Sequence, residues 1–70
     1  MIYDTVKKYA EEKGLAITAV EEQAGLGRGT IGKWRSTNTV MVENLLKVAK
    51  VLDVTASDLL RDADAVPKQT

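Results

Sequence analysis

The stretch AGLGRGTIGKW, residues 24–34, decides how the middle of this chain folds. A short helical pattern runs into Gly25, stops there, and resumes as a second short helix that carries Arg28 and Lys33. Glycine typically ends a helix because it adopts the left-handed conformation without penalty. Two short helices joined by such a turn predict a helix-turn-helix, and in the DNA-binding form of this motif the second helix enters the major groove.

Apolar residues recur every three to four positions on both sides of this motif, which predicts helices and no strand. We expect five helices, at residues 2–13, 17–24, 28–35, 42–53 and 56–62. Gly14 is expected to end the first helix, and Thr55 with Asp58 is expected to cap the fifth. The inward positions of these helices form the predicted core: Val6, Val20, Ala24, Ile31, Trp34, Leu45, Ala49, Leu52, Val54 and Leu59.

The length and composition indicate one small domain. The 70 residues include no Cys and no His, which excludes a disulfide framework, a Cys/His metal site and a histidine-activated nucleophile. No apolar run approaches the ~18 residues of a membrane span, so we expect a cytoplasmic protein. We assign residues 1–62 to the helix-turn-helix domain and the polar residues 63–70 to a flexible tail or the start of a linker.

Charge is unevenly distributed along the chain, although the net charge is zero. Residues 26–50 carry five cationic side chains against the single carboxylate of Glu43. Residues 1–25 have three lysines against five carboxylates, and residues 51–70 have two cations against four. A protein polarised in this way can bind a polyanion with one face.

Helical spacing orients the side chains of the predicted third helix. Ile31 and Trp34 are apolar and three residues apart, so they face the core and leave Arg28 and Lys33 on the outer face. A cation in the first turn of a helix opposes the helix dipole, so Arg28 is not there for stability. A bidentate contact to guanine therefore suits Arg28 better than a solvated surface role. Lys33 is either a base or phosphate contact or an ordinary exposed lysine.

Three neighbouring residues have two interpretations each. Gly29 and Gly32 either leave a bare surface that can sit deep in a groove or weaken the helix locally. Arg35 either contacts phosphate or pairs with Glu11 or Glu12 of the first helix.

The carboxylates show no catalytic or metal-binding pattern. Glu21 and Glu22 lie near Thr18 with no His or Lys in reach, so we interpret them as a solvated helix face. Asp58 fits a helix cap better than a calcium loop, whose Gly and terminal Glu are absent. We therefore expect no enzyme, no metal, no cofactor and no small-molecule substrate.

Over residues 2–61 the chain resembles the lambda-repressor-like helix-turn-helix family of phage repressors, Cro proteins and related bacterial regulators. The resemblance rests on KGL at 13–15, the Gly25-Leu26 turn, TIGKW at 30–34, and LLKVAKVLDVT at 45–55 followed by DLL at 58–60. It implies an all-α, compact five-helix DNA-binding domain with its helix-turn-helix at helices 2 and 3.

The resemblance also implies a set of contact residues. Base contacts are implied for Arg28, Gly29 and Lys33. Dimer contacts are implied for the fifth helix and the residues after it, where Leu60 and Val66 are the apolar candidates. Phosphate contacts are implied for Gly27, Thr30, Arg35, Ser36, Thr37 and Asn38.

Several positions differ from the family's pattern. The second helix starts at Ala16 and Ile17, where the family has a polar cap and a Gln that contacts phosphate. The family often has Glu at the position of Arg35, and Pro-Ser at the position of Val40-Met41. The side-chain phosphate contact on the second helix is therefore missing.

These observations favour a transcriptional regulator that binds double-stranded DNA. Its type would be a phage or prophage repressor, a Cro-like protein, a plasmid repressor or an antitoxin, binding a near-palindromic operator as a homodimer and occluding the promoter. The alternative is a protein-interaction module on the same fold, whose contact surface would be an exposed apolar set at Ile17, Val40, Met41 and Val42. DNA affinity that falls linearly on a log–log salt plot identifies the DNA binder.

Overall fold

A computed structural model of the chain describes residues 2–37, 39–61 and the backbone of residues 66–68. These residues form four α-helices, one 3-10 helix (η1) and two short strands. In chain order the elements are α1 (Ile2–Glu12), α2 (Ile17–Gln23), η1 (Gly32–Arg35), β1 (Thr39–Met41), α3 (Val42–Leu52), α4 (Ala56–Arg61) and β2 (Val66–Lys68). Helix α1 packs against η1, α2 and α4, and α3 packs against α2, α4 and β1.

Three of the α-helices are followed by a residue in the left-handed backbone conformation. Gly14 and Gly25 lie two residues after the ends of α1 and α2, and Asp53 lies directly after α3; their φ angles are 70°, 72° and 58°. In each case the next amide donates to a carbonyl five residues back, as Leu15 does to Ala10 at 2.8 Å. This bond satisfies a carbonyl that the helix end would otherwise leave without a partner. The helix stops predicted at the two glycines are confirmed, whereas the stop at Asp53 has no glycine to predict it.

Helix α4 begins with the predicted capping box. The Thr55 amide donates to Asp58 Oδ2 at 3.0 Å, and the Asp58 amide donates to Thr55 Oγ1 at 3.0 Å. Hydrogen bonds from the backbone and side chain of Thr55, with a smaller contribution from Arg61, lower the pKa of Asp58 below its ordinary value of 3.8. Two otherwise unpaired amides at the helix start are thereby satisfied.

A single apolar core lies between the helices. Eight of the ten predicted core residues are buried, while Ala24 and Val54 are half-buried and pack against its edge. The core also contains five residues outside the predicted list: Ile2, Tyr3, Ala10, Val40 and Val48.

The expectation of no strand is wrong. Strands β1 and β2 pair in parallel, with Thr39 opposite Val66 and Met41 opposite Lys68. Three-residue strands are too short to give a periodic signal in the sequence. Val40, expected to be exposed, is only 1% exposed and anchors β1 to the core. Residues 66–68, in the segment expected to be a flexible tail or the start of a linker, therefore pair with β1.

The expected third helix, residues 28–35, is largely absent. Residues 28–31 form a turn, and only Gly32–Arg35 are helical, as a 3-10 helix. Gly29 has a φ of 89°, which no right-handed helix accommodates. Two glycines and two β-branched residues within positions 29–32 give this stretch a low helix propensity, and the five-helix count is not confirmed.

Candidate nucleic-acid interface

The second half of the helix-turn-helix is a closed turn followed by η1. The Thr30 amide and hydroxyl both donate to the Gly27 carbonyl, at 3.1 and 2.6 Å. The Lys33 amide donates to the Gly29 carbonyl at 3.0 Å, which links the turn to η1. Residues 27–33 therefore form one hydrogen-bonded unit.

This unit separates apolar from cationic side chains as predicted. Ile31 is fully buried and Trp34 is 4% exposed, so both fill the core. Arg28 and Lys33 are exposed. The core contacts fix the backbone of this segment while its two cations remain accessible to a polyanion.

Glu21 holds the turn from within α2. Its side chain is buried, and its two carboxylate oxygens accept the Gly29 amide at 3.2 Å and the Ile31 amide at 2.7 Å. Our interpretation of Glu21 as part of a solvated face is wrong, whereas Thr18 and Glu22 are exposed as expected. The irregular turn leaves two amides without helical partners, and a carboxylate is a strong acceptor for them.

Arg35 is held by α1. Its guanidinium donates to the Tyr3 hydroxyl at 2.9 Å and lies 4.6 Å from the centroid of the Tyr3 ring. The structure thus pairs Arg35 with Tyr3 rather than with Glu11 or Glu12. Arg35 remains exposed, so its guanidinium keeps donors for a phosphate while its position is constrained.

The loop after η1 uses its hydroxyl groups locally. Ser36 Oγ donates to the Lys33 carbonyl at 3.2 Å, and Thr37 Oγ1 accepts the Thr39 amide at 3.1 Å. The Thr37 hydroxyl therefore keeps its proton for donation. Asn38 lies outside the described residues.

A comparison with protein families identifies this arrangement. The model of the Cro/C1-type HTH DNA-binding domain matches residues 5–64. The chain belongs to this family. The match confirms the resemblance inferred from the sequence and supports a DNA-binding regulator. The chain matches no curated protein and no solved structure.

In this chain, helix α2 lacks the polar N-cap residue that is usual in the family. Ala16 occupies the cap position of α2 and makes no side-chain hydrogen bond there. The turn, η1 and the loop after it supply the cations and hydroxyl groups of this candidate interface. Sequence reasoning missed two of the residues that hold these elements, Glu21 and Tyr3, because both act through contacts distant in sequence.

The structure describes the side chain of only one of the two candidate dimer residues. Leu60 is half-buried and packs against the core. The Val66 backbone pairs with Thr39, and its side chain lies outside the described part of the structure.

The described residues contain neither a candidate metal site nor a candidate membrane-spanning helix. Residues 2–37 and 39–61 contain no group of three or more acidic side chains that could hold a metal ion. No helix within the described ranges is long and apolar enough to cross a membrane.

Proposed function

We propose that this Cro/C1-type domain is a sequence-specific transcriptional repressor of the phage or prophage type. It binds a near-palindromic operator as a homodimer and acts by occluding the promoter. The observation that carries the proposal is the division of residues 28–34, where Ile31 and Trp34 are buried while Arg28 and Lys33 are exposed. A segment held by its core side chains presents its cations at low conformational cost, which favours recognition of a fixed target.

In this proposal, Arg28 and Lys33 contact base edges, and the bare Gly29 backbone allows close approach to the groove. Arg or Lys facing guanine O6 and N7 is the commonest specific contact in the major groove. The phosphates on either side are contacted by Gly27, Thr30, Arg35, Ser36, Thr37 and Asn38. These contacts set the orientation of the domain but carry no sequence information themselves.

Dimerisation follows from the small reading surface. A turn and one 3-10 helical turn span only a few base pairs, so two half-sites about 34 Å apart supply the remaining specificity. We place the dimer contact at the end of α4 and beyond, with Leu60 and Val66 as its apolar residues. Sedimentation of the free chain and of its DNA complex distinguishes a dimer from a monomer.

The protein-interaction module is the weaker candidate because its expected apolar surface is mostly covered. Val40 is buried, and Ile17, Met41 and Val42 are half-buried. Among the described residues Leu46 is the one large hydrophobic side chain that is exposed, at 54%. A single exposed leucine is ordinary for a surface and indicates no docking patch.

Selection from random duplexes, followed by titration of the selected and scrambled duplexes, tests the proposal. We expect the selected duplex to bind at least about 1,000-fold more tightly than the scrambled one at physiological salt. Its affinity should fall linearly on a log–log plot between 50 and 200 mM salt. Equal affinity for both duplexes would contradict sequence-specific regulation, and no binding at 50 mM salt would favour the interaction module.

A further inference from the structure

We infer that Glu21 is a positioning residue that holds the Arg28-bearing turn against α2 and so fixes the direction from which Arg28 reads a base. This inference rests on the proposed function. It concerns a residue that makes no DNA contact itself.

Glu21 is a buried carboxylate. Its side chain is 3% exposed, and it is the one charged side chain in the buried class among the described residues. A buried carboxylate is unfavourable unless hydrogen bonds compensate for lost hydration. Here both oxygens accept backbone amides, so the carboxylate serves the turn rather than apolar packing.

The two hydrogen bonds to Glu21 lie on either side of the turn's centre, at Gly29 and Ile31. The Gly29 amide belongs to the peptide group that joins Arg28 to Gly29. Glu21 therefore restrains the peptide plane directly after Arg28, while the bond to the Ile31 amide anchors the turn to the buried Ile31. Gly29 has a φ of 89° and no side chain, so its own sterics constrain this peptide little, and the bonds to Glu21 add a restraint to the hydrogen bonds within the turn.

Arg28 lies beside Glu21 at the surface of the molecule. Arg28 lines a cleft of about 430 Å³ together with Thr18, Glu21, Glu22 and Leu26. The Glu21 carboxylate accepts two amides, and among the described residues no ion pair joins it to the Arg28 guanidinium. Glu21 thus orients the arginine without pairing with it, which leaves the guanidinium donors for a base.

The test compares Glu21→Gln with two matched variants. An amide keeps one acceptor oxygen but turns its NH₂ toward the second backbone N–H, so one bond is lost. Glu22→Gln makes the same charge change on an exposed side chain lining the same cleft. Val48→Ala lowers stability from a fully buried position in α3, outside the helix-turn-helix segment. All binding is measured well below the melting temperature of each variant.

Two readouts are required on the full chain. The first is amide proton NMR of the free protein, in which Glu21→Gln should shift the Gly29 and Ile31 signals and speed their exchange. The second is the affinity ratio between selected and scrambled duplexes, which should fall roughly tenfold in Glu21→Gln, the effect of one weakened base contact. Glu22→Gln and Val48→Ala should leave the ratio unchanged.

The possible results separate the two claims. An unchanged ratio in Glu21→Gln, or an equal loss in Val48→Ala, would overturn the positioning role while leaving the proposed function in place. A wild-type chain without any sequence preference would overturn both. If Glu21→Gln does not fold, Glu21→Asp, which keeps the charge but is one methylene shorter, should show the same two effects.

Discussion

The α3–α4 half of the molecule and the helix-turn-helix half are stabilised in different ways. Helices α3 and α4 are regular, are stabilised by buried apolar side chains, and end or begin with local caps such as the Thr55–Asp58 box. In the segment from α2 to η1, the Glu21 carboxylate holds the irregular turn through hydrogen bonds, and Tyr3 of α1 holds Arg35 of η1. The scaffold therefore depends on packing and local caps, whereas the candidate DNA-binding surface combines the buried Ile31 and Trp34 with a few hydrogen bonds that single substitutions can remove.

The largest expected effect lies in the scaffold half. Leu45 is 1% exposed, so Leu45→Ala should lower the free energy of unfolding by ~2–5 kcal/mol through lost apolar burial and a residual cavity. Urea denaturation measures this change. Its matched control is Leu46→Ala, one residue along the same helix but 54% exposed, which should change stability by less than ~0.5 kcal/mol. Similar losses in both variants would contradict the assignment of the core.

The second largest effect is expected in the helix-turn-helix half. Arg28→Ala should weaken binding to the selected duplex by ~1–3 kcal/mol and relax preference at one base pair of each half-site, because one base contact is lost. Unchanged circular dichroism would show that the fold is intact. Lys7→Ala removes an exposed cation from α1 and should leave base preference unaltered. Retained preference in Arg28→Ala would remove this residue from the recognition surface.

A smaller effect on stability is expected from the capping box of α4. Thr55→Ala should lower stability by ~1 kcal/mol because it removes the hydroxyl that accepts the Asp58 amide. The folded state lowers the Asp58 pKa, so Asp58 contributes stability that is fully present above 3.8 and is lost as pH falls through the lower folded value. Thermal melts between pH 7 and pH 2 check both effects. Equal pH dependence in wild type and Asp58→Asn would contradict the capping role.

The smallest expected effect concerns Arg35. Two variants distinguish the contribution of its orientation by Tyr3 from the contribution of its charge. Tyr3→Phe removes the hydroxyl that accepts the guanidinium but keeps the ring beneath it. Affinity for selected and scrambled duplexes should fall slightly and to the same extent, since a phosphate contact is sequence-independent. Arg35→Ala should in addition reduce the salt slope by about one unit. A change in base preference in either variant would place Arg35 at a base instead.

How much the sequence predicts also differs between the two halves. Spacing alone predicts α1, α3 and α4, because their caps and apolar stripes depend on residues within one or two turns. The same reasoning correctly predicts that Ile31 and Trp34 are buried and that Arg28 and Lys33 are exposed. It does not predict the turn at residues 28–31, because that turn depends on a carboxylate eight to ten residues earlier. Strand β1 is missed for a similar reason, since its partner lies 27 residues further along the chain.

The most direct test of the central claim is an NMR titration of the full ¹⁵N-labelled chain with the selected duplex. We predict that the largest amide shift changes fall on residues 27–37, from the turn through η1 to the following loop. The exposed face of α3 around Leu46 should change little. The opposite pattern, with large changes around Leu46 and none at Arg28 or Lys33, would contradict the claim that the turn and η1 read DNA.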